Sequence, residues 1–400
     1  MVELSVMDWA LVGFMKVSLH QFLPVNILAE LFTLLEARGK SRLVGGCVRE
    51  IILGHAPKDV DIATQVLPED VMYLLTKSGY HCIPTGIKYG TITAIKDKHK
   101  FEITTLRSDI RTYGRHAEVD FTMDWKLDAG RRDFTFNALY MDLEGNIEDF
   151  FGGITDLNAN LLRFIGNPRT RIREDYLRIL RYFRFYSYYN GGNIDQDSLD
   201  ACAELAPGLE NLSGERIRLE MLKILASPYA NQSLLLMQEC GVLKEVIPHR
   251  HEIDFTMLYF CANPLVNLAA ILKISALDKY EIETCMNRLK LFNAEKSMIV
   301  SLLWKIEIKS HARELEHKAV IYSFGIDAYK SYINFLQVLY PKAGVYEIKT
   351  PELPEFPVVG ADLLKLGLAG KEIGSKIKQL EQLWIESDFK LTKIELLKKL

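Results

Sequence analysis

Residues 44–63 read VGGCVREIILGHAPKDVDIA. An apolar run ends in the pair Gly45 and Gly46, a helical pattern follows, and two aspartates separated by one valine return in KDVDI. Successive strand side chains alternate faces, so Asp59 and Asp61 share one face while Val60 and Ile62 point to the core. Such a pair is either a solvated strand end or two carboxylates converging on one point. The glycines favour the second reading. They let an anion approach the free N–H groups at the positive end of a helix, and Arg49 stands one turn into that helix. Gly45, Gly46 and Arg49 thus form a candidate triphosphate cradle beside a candidate metal site on Asp59 and Asp61.

A second strand pattern, KFEITTLR, places Phe101 and Ile103 on one face and Glu102 and Thr104 on the other. If the two strands are neighbours, Glu102 completes an acidic triad. Magnesium binds through a few carboxylates plus substrate phosphates, and two such ions can hold an attacking hydroxyl and a leaving pyrophosphate in line. The expected cofactor is Mg2+ in a two-ion site.

Outward from this centre, SRLVGG, KDVDIAT, GTITAIKD, KFEITTLR and the pair NALYMDL and IEDFFGG, hinged on EGN, have strand character between helical patterns. They predict a domain of mixed helix and strand on one sheet. After about residue 165 the apolar residues fall at helical spacing throughout, and TPELPEFPVVG (350–360) marks a turn or linker before a last helical segment. A chain of 400 residues, 48% of them hydrophobic, has room for roughly two to four domains.

Net charge is only −3, so nucleic-acid binding would need local basic patches. The six cysteines show no paired spacing, which predicts a reducing compartment. The N-terminus carries Glu3, Asp8 and Lys16 around its apolar stretch and suits neither a signal nor a transit peptide. No run approaches the ~18 apolar residues of a membrane helix. A cytoplasmic protein without membrane contact is expected. PHRHEID (248–254) lacks the separated ligands of a metal site and reads as a surface turn.

EDYLRILRYFRF (174–185) reads as one helix with Tyr176, Ile179, Leu180 and Phe183 on its apolar face and Asp175, Arg178 and Tyr182 on another. Either Asp175 and Arg178 belong to a surface ion-pair ladder, or they read a base. Cytosine and adenine both present an amino donor beside a ring-nitrogen acceptor, which an aspartate and an arginine complement; uracil and guanine present the reverse. Arginine density favours a polyanion nearby: Arg163, Arg169, Arg171, Arg173, Arg178, Arg181 and Arg184 crowd one stretch. In RRDFTFNALYMD (131–142), Arg132, Asp133 and Asn137 are candidates for phosphate or ribose contacts, with Asp133 equally suited to cap a helix.

In this order, GGCVRE, KDVDIAT, FEITTLR, RRDFTFNAL and EDYLRILRYFRF resemble the class II tRNA nucleotidyltransferases, the CCA-adding enzymes, and the related bacterial poly(A) polymerases. The resemblance is specific from about 40 to 250 and weaker beyond. It implies an α+β fold: a polymerase-beta-like nucleotidyltransferase head with a five-stranded mixed sheet (1–165), then a helical neck (166–245), body (246–345) and tail (346–400). Carried over, it implies metal ligands at Asp59 and Asp61, and an acidic position near them at Glu102. Triphosphate and sugar contacts fall at Gly46, Arg49 and Arg132, a base-reading pair at Asp175 and Arg178, and further nucleotide contacts at Arg181 and Arg184. Glu50 stands where the family usually has aspartate. RSDIRTYGRHAEVDFTMDWKLDAG (107–130) resembles the flexible loop associated with the final A addition, and its full length argues against a CC-only enzyme. The implied partners are the tRNA acceptor arm, CTP and ATP, acting on a monomer or homodimer. The alternatives are an A-adding enzyme, a poly(A) polymerase of the same fold, and an inactive RNA-binding protein.

Overall fold

The computed structural model describes residues 19–113, 116–189, 193–306, 314–343 and 352–400. The N-terminal stretch read for targeting signals lies mostly outside them, as does the start of the proline-rich segment. The chain divides into two compact units, Met1–Glu252 with Glu283–Lys290, and Ile253–Ile282 with Leu291–Leu400.

The first unit holds the strands. They are β1 (Ser41–Val44), β2 (Val60–Thr64), β3 (His81–Gly86), β4 (Thr91–Lys96), β5 (His99–Thr105), β6 (Arg107–Tyr113), β7 (His116–Phe121), β8 (Leu139–Met141) and β9 (Ile147–Asp149). Seven of them form one mixed sheet in the order β3-β4-β5-β2-β1-β8-β9, in which only β2 and β5 run parallel. The sheet is therefore larger than the five strands expected. The strand that periodicity missed, β3, lies at an edge, is mostly exposed and contains Pro84 beside a register shift. Proline cannot donate to a ladder and is tolerated only at such edges, so its sequence does not look like a strand. The segment 107–130, expected as a loop, begins with β6 and β7 paired as a separate two-stranded ribbon.

Burial explains the central strands. In β5, Phe101, Ile103 and Thr105 are buried while Glu102 and Thr104 are half-buried on the opposite face, as alternation requires. Helix α1 (Val25–Glu36) buries Leu28, Leu31, Phe32 and Leu35 and packs on α3 (Pro68–Lys77) and β1. Between them in sequence, α2 (Gly46–Ile52) leans on β1, β2 and β8 and buries Val48, Ile51 and Ile52.

The helices that follow are α4 (Trp125–Gly130), α5 (Gly153–Asn158), α6 (Pro168–Glu174), α7 (Leu177–Tyr186), α8 (Gln196–Leu205), α9 (Gly214–Leu225) and α10 (Ala230–Glu239). An aromatic layer joins α7 to the strand-bearing part. Phe134 lies 4.7 Å from Phe164 and 5.3 Å from Phe185, ring centre to ring centre, with Phe136 and Tyr182 around it. Tyr182, expected beside Arg178, is instead fully buried in this layer, because the aromatic residues of α7 wrap further round the helix than strict periodicity suggests.

The second unit is helical in its described residues, with Pro264–Ile274 packed on Ile326–Leu339. Its C-terminal part closes around Trp384, 5.3 Å from Phe356 and 4.9 Å from Phe389.

Phe134 is wholly buried, so Phe134→Ala is expected to cost about 3–5 kcal/mol through lost contacts and a cavity. The urea midpoint should fall with little change in slope; a midpoint close to wild type would show that the aromatic layer does not hold α7 in place.

Candidate active site

A cleft of about 550 Å³ opens in the first unit. Its wall includes Gly45, Gly46, Arg49, Asp61, Arg132, Asp133, Asn137, Asp175, Arg178, Arg181 and Arg184, so eleven residues singled out in the sequence meet at one place. Thr104, read on the face of Glu102, also lines it, and Thr91, Arg107, Arg131 and Phe185, which were not singled out as site residues, complete much of the rest.

On the glycine side, Gly45 caps α2 with a φ of 69°, where a side chain would be strained, and a Cβ would meet Arg132 Nη1 at 3.4 Å. No side chain caps α2 there. Arg49 donates to Asn137 Oδ1, and to Glu50 Oε1 from Nε at 3.1 Å and Nη2 at 2.8 Å, with its guanidinium 5.1 Å from the centre of the Phe185 ring. Glu50 thus braces the arginine, as an acidic residue at that position should.

Opposite lie the carboxylates. Asp61 is paired in register with Glu102 across the parallel β2–β5 ladder, the neighbour relation that the acidic pattern required. Asp59 sits in an exposed bend just before β2, and neither it nor Glu102 lines the cleft itself; Glu102 also pairs with Lys100 at 2.6 Å. Burial, then the charge of Glu102, push the Asp61 carboxyl up to about 6, while Arg132 acts in the other sense. Among the described residues no three His, Cys, Asp or Glu side chains are gathered as a ready ion cage. Hard carboxylate oxygens in a field unfavourable to their own charge suit magnesium, which completes its shell with phosphate oxygens and water. Asp59 and Asp61 are the residues that would hold it.

Asp133 is buried and accepts from Phe134 N at 2.9 Å, Asn137 Nδ2 at 3.0 Å and Arg181 Nε at 2.7 Å. Burial works against its charge, but Arg181 and the Asn137 amide outweigh that and hold the carboxyl well below the usual range. The following 3-10 turn, Thr135–Asn137, has Phe134 as its N-cap, so Asp133 does not occupy the capping position.

Asp175 and Arg178 do not share one helix. The chain breaks between α6 and α7, with Asp175 extended at φ −157° and ψ 104°. Each has its own anchor: Asp175 accepts from Arg216 of α9 at 2.7 Å, whereas Arg178 donates to Glu174 at 2.6 Å and to the carbonyls of Arg171 and Arg131. Arg184 faces Glu220 at 3.0 Å. Of the crowded arginines, Arg163, Arg169, Arg171 and Arg173 do not line the cleft; they pair with Asp156, with Asp197 and Glu204, with Glu174, and with Glu204. Charge density alone did not distinguish these structural pairs from cleft residues. PHRHEID carries no helix or strand, with His251 and Glu252 exposed.

The residue that holds Arg131 and Arg132 from behind the wall was not anticipated. Asp128 has no exposed surface, yet it accepts from Arg131 Nε at 2.9 Å, Arg132 Nη2 at 3.1 Å, Tyr140 Oη at 2.7 Å and Arg107 N at 3.2 Å. Only its place three and four residues before the paired arginines could have signalled it.

Residues 41–163 match the family model described as Poly A polymerase head domain, and 192–253 match the one described as Probable RNA and SrmB- binding site of polymerase A. The CCA tRNA nucleotidyltransferase 1, mitochondrial, of Mus musculus is 36% identical over 387 residues, 92% of this chain and 88% of the relative. The chain belongs to the CCA tRNA nucleotidyltransferase family. Within that family, the CCA-adding enzyme of Lactobacillus johnsonii is 30% identical over 91% of this chain and 96% of its own. The Bacillus stearothermophilus CCA-adding enzyme in complex with CTP is 25% identical and superposes with a TM-score of 0.74, covering 92% of this chain and 94% of that one. Members of the family are nucleotidyltransferases, and the mixed α+β architecture agrees with theirs.

Burial raises the cost of the Asp128 charge, but Arg132, Arg131 and the Tyr140 hydroxyl hold its carboxyl well below the ordinary value of about 3.9. A depressed folded-state value stabilises above the unfolded value, and that stability is lost as pH falls through the folded one. Asp128→Asn is therefore expected to destabilise by about 3 kcal/mol at neutral pH. The deficit should narrow below about pH 4 in urea titrations; curves that stay parallel would contradict the charge argument.

Proposed function

We propose that this chain adds C, C and A to the 3′ end of tRNA from CTP and ATP, without a nucleic-acid template. The observation that carries this reading is the convergence of Asp175 and Arg178 on the cleft that also contains Asp61 and the Gly46 helix end. The 3′ hydroxyl attacks the α-phosphorus, the bond to the bridging oxygen breaks, and pyrophosphate leaves. Magnesium on Asp59 and Asp61 would neutralise charge on the reacting phosphate and favour the ionised hydroxyl. The N–H groups beside Gly45 and Gly46, with Arg49, orient the triphosphate. Arg132, Asp133 and Asn137 serve the sugar and phosphates, and Arg181 and Arg184 add positive charge.

Asp175 accepts the amino hydrogen of cytosine or adenine, while Arg178 donates to the ring nitrogen beside it. Uracil and guanine would leave both partners facing groups of their own kind, and unpaired buried polar groups discriminate strongly. Most of the work is positioning and charge stabilisation. Residues 166–245 would form the neck, 246–345 the body and 346–400 the tail, the helical parts holding the acceptor arm by duplex shape and backbone. No described helix is long and apolar enough to cross a membrane. The described cysteines are free thiols, and the cytoplasm is the compartment we propose.

Asp59 is exposed, so Asp59→Ala should abolish incorporation while leaving the melting temperature nearly unchanged; retained transfer would remove Asp59 from the metal site. Arg178→Ala should lower the preference for CTP over UTP and also destabilise, because Glu174 loses its partner. The ratio of the two kcat/KM values separates these effects, since it does not depend on the fraction folded. Transcripts ending at the discriminator base, at C and at CC, each offered CTP, ATP or both, test the overall reaction. Full addition from the bare discriminator is expected. Addition of A to the CC end alone would indicate an A-adding enzyme, and a long A tail on unrelated RNA a poly(A) polymerase.

A further inference from the structure

Tyr176, between the two base-reading residues, is half-buried rather than part of the apolar core. Its ring lies flat against Gly208, in the 3-10 turn Ala206–Asn211. A Cβ built on Gly208 would stand 2.0 Å from Tyr176 Cε1, 2.1 Å from Cδ1 and 2.6 Å from Cζ. Ordinary carbon contacts are about 3.5–4.0 Å, so any side chain at 208 forces a displacement of an ångström or more. Gly208 does not lie in the left-handed region. The ring, and not backbone strain, is the obstacle to a larger residue.

Which partner yields is set by what anchors each. Arg288 donates to the carbonyls of Leu212 at 3.1 Å, Leu209 at 3.1 Å and Glu210 at 3.3 Å, and Leu209 is fully buried, so the turn is held. Tyr176 sits at the break between α6 and α7, where Asp175 is extended and α7 has yet to begin. The ring yields by turning about its side-chain bonds or by drawing its backbone along, and that backbone carries Asp175 on one side and leads to Arg178 on the other.

We propose that Gly208 is a specificity-determining position: its bare Cα seats the Tyr176 ring, and this seat fixes the distance between Asp175 and Arg178 that a cytosine or adenine edge spans. The proposal rests on the base-reading role given above to those two residues. Gly208 and Tyr176 touch no nucleotide themselves and act through their neighbours. A misplacement near 1 Å in such a pair is enough to cost a reaction up to about a hundredfold, while the triphosphate cradle on α2 lies on other elements and keeps its geometry.

The test measures kcat/KM for CTP against UTP, and for ATP against GTP, on full-length protein with tRNA transcripts, alongside thermal melting. Gly208→Ala is expected to lower both ratios by roughly tenfold or more. In the Tyr176→Ala background, which removes the ring, Gly208→Ala should change neither ratio further. A folded Gly208→Ala enzyme with wild-type ratios overturns the proposal, as does a double variant whose ratios fall below those of Tyr176→Ala alone. Should Gly208→Ala not fold, the double variant decides: folding with the Tyr176→Ala ratios supports the seat, and failure to fold overturns it. Arg178→Ala is the control. If it leaves both ratios unchanged, the base-reading assignment falls and takes this inference with it; if it lowers them while Gly208→Ala does not, only the seat is refuted.

Discussion

Asp128 accepts hydrogen bonds from four groups on different parts of the chain while none of its surface reaches water, and the cationic wall of the cleft follows from that geometry. A lone carboxylate so placed would cost several kcal/mol in lost hydration, and two guanidinium groups, a phenol and a backbone amide offset it. The exchange has a direction. Arg131 and Arg132 cannot swing into solvent without stranding a buried charge, so their positions are fixed before any nucleotide arrives. Through Arg107 N the same carboxylate also sets where the β6–β7 ribbon leaves the sheet.

The other cleft arginines follow this pattern with different partners. Arg49 is braced by Glu50 and Asn137, Arg178 by Glu174, Arg181 by Asp133 and Arg184 by Glu220. A guanidinium has five donors in a fixed fork, so a partner that uses one or two leaves others aimed at the cleft. Rotamer freedom is surrendered on folding rather than on binding, which is the sense in which such a site is preorganised.

How legible this was in the sequence depended on the distance over which each feature is decided. Local signals served well: the glycine pair announced the start of α2, the alternation in KFEITTLR put Glu102 on the face of Asp61, and the register of β2 with β5 placed the two opposite each other. Features decided by tertiary partners did not show. Pro84 hid an edge strand, the aromatic layer drew Tyr182 inward, and four arginines of the crowded stretch were claimed by acidic residues of α5, α6 and α8. Asp175 and Arg178 both line the cleft, but the periodicity that drew attention to them is interrupted by the break between α6 and α7. What unites them is their anchors, Arg216 and Glu174, and no spacing rule reveals the first of these.

The parallel pairing of β2 with β5 bears on how the protein comes to have a site at all. Asp61 and Glu102 lie about 40 residues apart in the chain, and α3, β3 and β4 fill the interval. A parallel pair cannot be closed by a tight turn; it waits for the crossover, and the loop entropy is spent before the ladder returns anything. Antiparallel neighbours such as β4 with β5 or β8 with β9 need only a short turn. The acidic centre is thus not a product of local structure: it forms only when a ladder between strands about 40 residues apart closes. A chain in which that ladder is still open has its glycine turn in sequence but not yet Asp61 opposite Glu102, so the two sides of the cleft are assembled by different events.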